Sequence, residues 1–137
     1  MKRGAPGFSL LEMLVVLAIL GLAVGLVAGR ARQGAGGVVL RGAAVELRDA
    51  LRLARGAAIA GNRPVEVLLD AAGGQVLRQG AAPLVLPPGV VLSGPGRIQF
   101  APEGGSSGGV LLLRQGERRM AVSVDWLTGQ VRLADAP

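Results

Sequence analysis

Seventeen consecutive residues, Met13–Gly29, carry neither a charge nor a polar side chain, and Glu12 stands immediately before them. Counted from Phe8 the apolar stretch is 22 residues. At roughly 1.5 Å per helical residue this matches the ~30 Å hydrocarbon core of a bilayer. A chain of 137 residues that begins this way has room for one membrane-length helix and one globular domain, not comfortably two. The remainder is too apolar for disorder and has no second such segment, which excludes a polytopic membrane protein.

Glu12 decides between readings of that segment. A secretory signal peptide would use Lys2 and Arg3 as its basic start and Ala23-Val24-Gly25 as a small-residue cleavage site. A plain anchor would need only the apolar run. Neither gains from an ionisable group inside it, which costs about 2.5–3.5 kcal/mol at the centre of an inserted helix and less near its end. The carboxylate is therefore a functional hint. Gly21, Gly25 and Gly29 recur at i, i+4, i+8, one face on which another helix could pack closely. Glycine is also common throughout this chain, so background composition explains the spacing equally well. Lys2 and Arg3 on one side balance Arg30 and Arg32 on the other, so loop charge does not set the orientation.

Absent residues exclude most chemistry. The chain has no His, no Cys and no Tyr, and Lys2 is its single lysine. Zinc centres, thiol or imidazole catalysis, disulfides and lysine-bearing phosphate loops are ruled out. Five serines and eight acids beyond Glu12 remain, with no base tunable to neutrality. No enzyme activity, metal or cofactor is expected.

Gly7-Phe8-Ser9-Leu10-Leu11-Glu12 resembles the processing site of type IV prepilins and type II secretion pseudopilins. The resemblance implies a leader, Met1–Gly7, removed by a membrane-embedded prepilin peptidase that cuts between Gly7 and Phe8 and N-methylates Phe8. It implies that the leader faces the cytoplasm, that 8–29 form a transmembrane and assembly helix in the inner membrane, and that 30–137 form a periplasmic domain. It also gives Glu12 a role: pairing with the cationic Phe8 amine of a neighbouring subunit as subunits join a filament. A carboxylate in a low-dielectric region needs such a partner or neutralises.

The body reads as α+β, a long N-terminal helix on an antiparallel sheet. Leu40, Ala44, Leu47, Leu51, Ala54 and Ala58 are spaced 4, 3, 4, 3, 4, an amphipathic helix over about 38–60. Gly61-Asn62 with Pro64 ends it. Upstream, Gln33–Gly37 is either a hinge or the weak middle of one continuous helix. From Val65 to about residue 134 short runs alternate with turns. Val65–Leu69 and Gln75–Arg78 form a hairpin, Arg97–Phe100 is a short strand, and Val110–Arg114, Arg118–Val124 and Gln130–Leu133 form a meander. Glu103–Gly109 reads as a flexible loop. Leu53-Ala-Arg-Gly-Ala-Ala-Ile-Ala-Gly-Asn-Arg-Pro-Val-Glu-Val67, Ile98-Gln-Phe100, Arg119–Val122 and Thr128–Arg132 are similar to segments of the GspH/FimT minor pseudopilins.

That resemblance implies a minor pseudopilin, contacting other pseudopilins and the inner-membrane secretion platform in the tip complex of a periplasmic pseudopilus. The alternative is a minor pilin of a type IV pilus or competence apparatus that contacts DNA. Its basis is charge: 13 Arg against 8 acids in 30–137. The arginines are dispersed and lack an aromatic platform, so nucleic acid is not the expected partner. Asp125 with Glu117 is too sparse for a cation site. Trp126 reads either as a partner contact or as a cap on the core.

Overall fold

The computed structural model describes residues 9–136, and of 28–36 the backbone only. The leader and the Gly7–Phe8 junction lie outside the described residues. The chain divides into two compact units, Met1–Ala35 and Gly36–Pro137.

Helix α1 runs Leu10–Gly61 and includes Gln33–Gly37. It opens on Ser9, whose side-chain oxygen accepts the Glu12 backbone N–H at 3.2 Å. It closes on a left-handed residue, Asn62 at φ 46°. There the Asn62 N–H reaches the Ile59 carbonyl at 3.3 Å and the Arg63 N–H reaches that of Ala58 at 3.2 Å. These are the paired bonds that satisfy the orphan carbonyls of a helix end, and Pro64 then forbids continuation.

In the second unit the expected stripe is the buried one. Leu47, Leu51, Ala54 and Ala58 are fully buried, and Leu40 and Ala44 nearly or fully so. Alanine dominates the far end of the stripe, so the sheets can approach that end of the helix closely.

The strands are β1 Val65–Asp70, β2 Gln75–Arg78, β3 Leu84–Val85, β4 Val91–Ser93, β5 Arg97–Phe100, β6 Gly109–Gln115, β7 Arg118–Val124 and β8 Val131–Asp135. They form two antiparallel sheets where the sequence suggested one, ordered β3-β2-β1-β5 and β4-β6-β7-β8. The chain changes sheets at Gly94-Pro95-Gly96, between edge strands β4 and β5. Proline offers no ladder donor, so pairing cannot run through this corner. The inner faces supply Val67, Ile98, Phe100, Leu111, Leu113 and Val122, all buried to 1% exposure or less.

Candidate assembly surfaces

The first unit has a simple surface. Leu10–Val27 has a mean hydropathy of 2.7, long and apolar enough to cross a membrane, and none of it is buried. Glu12 sits in the first turn of this helix. Ser9 caps it: besides the side-chain bond, the Ser9 carbonyl accepts the N–H groups of Glu12 at 3.0 Å and Met13 at 3.2 Å. Ser-x-x-Glu is the sequence signature of a capping box, and Ser9–Glu12 carries it within the processing motif. A carboxylate here also faces the positive end of the helix dipole. Among the described residues no cation pairs with it. Apart from the helix's own neighbouring backbone, Gly21 and Gly25 have no described heavy atom within 4 Å of where a Cβ would stand, so that face is open. The side-chain surroundings of Gly29 fall outside the description.

In the second unit one end is built around the β7–β8 turn. The Asp125 carboxylate accepts the N–H groups of Leu127 at 3.0 Å and Thr128 at 2.7 Å, and the Thr128 hydroxyl at 2.9 Å. These bonds, the Thr128 N–H first, hold its pKa below the ordinary aspartate value. Its role is a turn staple, not a cation site.

A depressed pKa in the folded state makes the staple's contribution present above the unfolded pKa and lost as pH falls through the lowered folded value. Asp125→Ala should therefore lower the melting temperature by a few degrees at neutral pH. The gap should close on acidification below the usual aspartate range. Thermal melts of both chains in detergent across that range check it, and a pH-independent gap would show that the carboxylate's charge is not involved.

The glycine-rich segment expected to be a flexible loop is instead docked onto this turn. The Ser106 N–H donates to the Trp126 carbonyl and its hydroxyl to the Asp125 carbonyl, both at 2.9 Å. The Ser107 N–H reaches the Gln99 carbonyl at 2.9 Å, and its hydroxyl accepts the Gln99 N–H at 3.1 Å. Arg55 on α1 clamps both segments, donating to the carbonyls of Gly104 at 3.1 Å and Thr128 at 3.0 Å. Arg52 donates to the Val131 carbonyl at 3.1 Å. Two arginines of the basic excess thus hold backbone together.

Gly129 lies in the left-handed region at φ 64°, and a Cβ there would stand 2.3 Å from the Gly104 carbonyl oxygen. Gly74 has a similar φ of 61° and open space. Gly129→Ala should cost about 2–3 kcal/mol, from backbone strain and a displaced loop, and Gly74→Ala about 1 kcal/mol. Equal losses in denaturant titrations of the two variants would remove the docking contact from the account.

The turn presents Trp126 and Leu127 outward, 69% and 65% exposed. Trp126 is thus not a cap on the core. An open groove of about 590 Å³ runs beside it, lined among others by Val110, Ser123 and Arg132. No group of three or more metal-binding side chains occurs among the described residues.

Residues 2–28 match the prokaryotic N-terminal methylation motif. With the one helix of membrane length among the described residues, the match is consistent with a single-pass membrane anchor. Residues 43–129 match the family described as type II transport protein GspH. The chain is 36% identical over 147 residues to the type II secretion system protein H of Xanthomonas campestris pv. campestris, an alignment covering 96% of this chain and 84% of that protein.

Two solved structures share the fold. One is the minor pseudopilin EpsH from the type 2 secretion system of Vibrio cholerae, with a TM-score of 0.61 at 13% identity over 70% of this chain and 96% of that one. The other is the type IV minor pilin FimU of Pseudomonas aeruginosa PAO1, with a TM-score of 0.55 at 20% identity over 72% and 88%. At such identities they show the pilin-like α+β fold alone. The family match and the Xanthomonas relative go further: this chain belongs to the GspH family, the minor pseudopilins of type II secretion.

Proposed function

We propose that the chain is made as a precursor, cut between Gly7 and Phe8 by prepilin peptidase and N-methylated at Phe8. The helix from Phe8 to Gly29 then holds it in the bacterial inner membrane, with 30–137 in the periplasm. From there it joins other pseudopilins in the tip complex of the pseudopilus, above the inner-membrane secretion platform. It works by contact and carries no catalysis of its own.

The observation that supports this best is Glu12. It is an exposed carboxylate one turn into an apolar helix, with no cationic partner among the described residues. In a membrane it needs a positive charge from elsewhere, and the amine that cleavage creates on a neighbouring subunit's Phe8 is one. Gly21, Gly25 and Gly29 would let that neighbour's helix approach.

The experiment is mass measurement of the full chain co-expressed with a prepilin peptidase. The mature protein should begin at Phe8 and carry one added methyl group, and Gly7→Val should stay uncut. An N-terminus near Ala23–Gly25 would instead make the segment a signal peptide and remove the filament reading.

A further inference from the structure

The two sheets of the Gly36–Pro137 unit turn outer faces of opposite character to solvent. Alternation and register put ten residues on the outer face of the β4-β6-β7-β8 sheet, among them Arg114, Arg119 and Arg132 and no carboxylate. Val91, Val110 and Leu112 share that face and are all exposed. Arg114 stands directly opposite Arg119 in the β6–β7 ladder. A like-charge pair across strands destabilises the free domain, and a carboxylate brought in from outside relieves it.

The outer face of the β3-β2-β1-β5 sheet is the counterpart. Leu68, Leu77 and Val85 form an exposed aliphatic strip on β1, β2 and β3. Glu66 and Asp70 border it on β1, against one arginine, Arg97. The Arg97–Glu66 pair is long, 3.4 Å, and exposed, so it leaves the carboxylate available to a better partner.

We propose that the β4-β6-β7-β8 face of one copy of this chain docks on the β3-β2-β1-β5 face of a second copy. Aliphatic strip meets aliphatic strip, and the three arginines meet Glu66 and Asp70. The two patches differ, so the contact is head-to-tail and not two-fold symmetric. A nucleic-acid backbone is a poorer occupant: phosphates gain nothing from valine and leucine, and among the described residues Trp126, at the edge of this face, is the only exposed aromatic ring on which a base could stack. The contact stands apart from the Glu12 pairing proposed above.

The chain has no cysteine, so introduced thiols report on this contact alone. Full-length Leu112→Cys and Leu68→Cys are purified in detergent and oxidised mildly, separately and mixed. Each alone should form no disulfide-linked dimer, because its thiol faces a leucine of the docked copy, and the mixture should form one. Salt at about 0.5 M, or Arg114→Glu with Arg119→Glu in the Leu112→Cys chain, should cut the yield roughly fivefold or more. Glu12→Ala in both chains should leave it unchanged, which separates this contact from the filament reading. The proposal is overturned by no dimer in the mixture, by equal dimer from either variant alone, or by a yield that ignores salt and charge reversal. Loss of the cross-link when duplex DNA is added before oxidation, with the DNA retained by the chain, would assign the face to nucleic acid and equally overturn it.

Discussion

Phe100→Ala should destabilise the Gly36–Pro137 unit by about 3–5 kcal/mol, lowering its melting temperature by about 15 °C or more. Phe100 is one of three aromatic residues in the chain and is fully buried at the end of β5. It lies opposite Val65 in the β1–β5 ladder and bridges to Ser106. Its backbone thus joins the first sheet to the docked glycine-rich segment, while its ring lies in the core. The other core residues are Leu, Val, Ile, Met and Ala, and alanine already fills much of the helix face. Neighbours so small cannot swing into the space a phenyl ring leaves, so most of the cavity would stay open. The chain also lacks the cysteines for a disulfide that could limit the loss. A domain of about a hundred residues has roughly 5–15 kcal/mol in all. Denaturant unfolding in detergent checks the prediction, with Trp126, the single tryptophan, as the fluorescent probe. Leu112→Ala, on an exposed outer face, should stay within about 0.5 kcal/mol of the parent. A loss below 1 kcal/mol at Phe100 would mean the core repacks and the cavity argument fails.

The contrast between Phe100 and Leu112 shows what was legible beforehand. The helix stripe from Leu40 to Ala58 is a local pattern, and local periodicity names the buried side without reference to anything distant. The helix end is local too, although Asn62 takes the left-handed conformation and Gly61 stays helical. Strand alternation likewise shows that Val122 and Val124 point inward and Ser123 outward. It does not say which strand lies alongside. β5 pairs with β1 across some thirty residues, and β4 pairs with β6 instead of its sequence neighbour β5. That non-local choice divides the strands into two sheets, and the short β3 and β4, which local alternation does not mark, join those sheets only through it.

The docking of the glycine-rich segment is hidden in the sequence for the same reason. Its composition suggests looseness, and its anchors, the Gln99 backbone, the Trp126 carbonyl and Arg55, become neighbours only once both sheets are in place. At the candidate site the balance is reversed. Gly7, Phe8 and Glu12 were found from a short local motif, as was the spacing of Gly21, Gly25 and Gly29. Among the described residues, folding brings no cation to Glu12 and no packed neighbour to Gly21 or Gly25, and the roles proposed for them need a second helix.

Glu12→Ala is the substitution with the largest expected effect on assembly. The variant should be cleaved at Gly7–Phe8 and should insert at least as well as the parent, since the change removes a charge from the apolar helix. Near the end of the span this favours insertion by less than the ~2.5–3.5 kcal/mol of a mid-membrane carboxylate. The helix start should survive, because the Ser9 side chain bonds the backbone N–H of residue 12 and not its carboxylate. The lost favourable contact with the helix dipole is about 0.3–1 kcal/mol, too little to unwind the first turn. What disappears is the proposed partner of the Phe8 amine. Leaving that amine uncompensated in a low-dielectric helix bundle costs about 3 kcal/mol or more, roughly a hundredfold in association. Recovery of the variant with the major pseudopilin, by cross-linking in membranes, should fall accordingly. Glu12→Gln separates charge from shape: it keeps the side chain's length and hydrogen-bonding capacity and should fail just as badly. Parent-level cross-linking of either variant would remove Glu12 from the assembly contact, and a variant that stays uncut would place its role in processing instead.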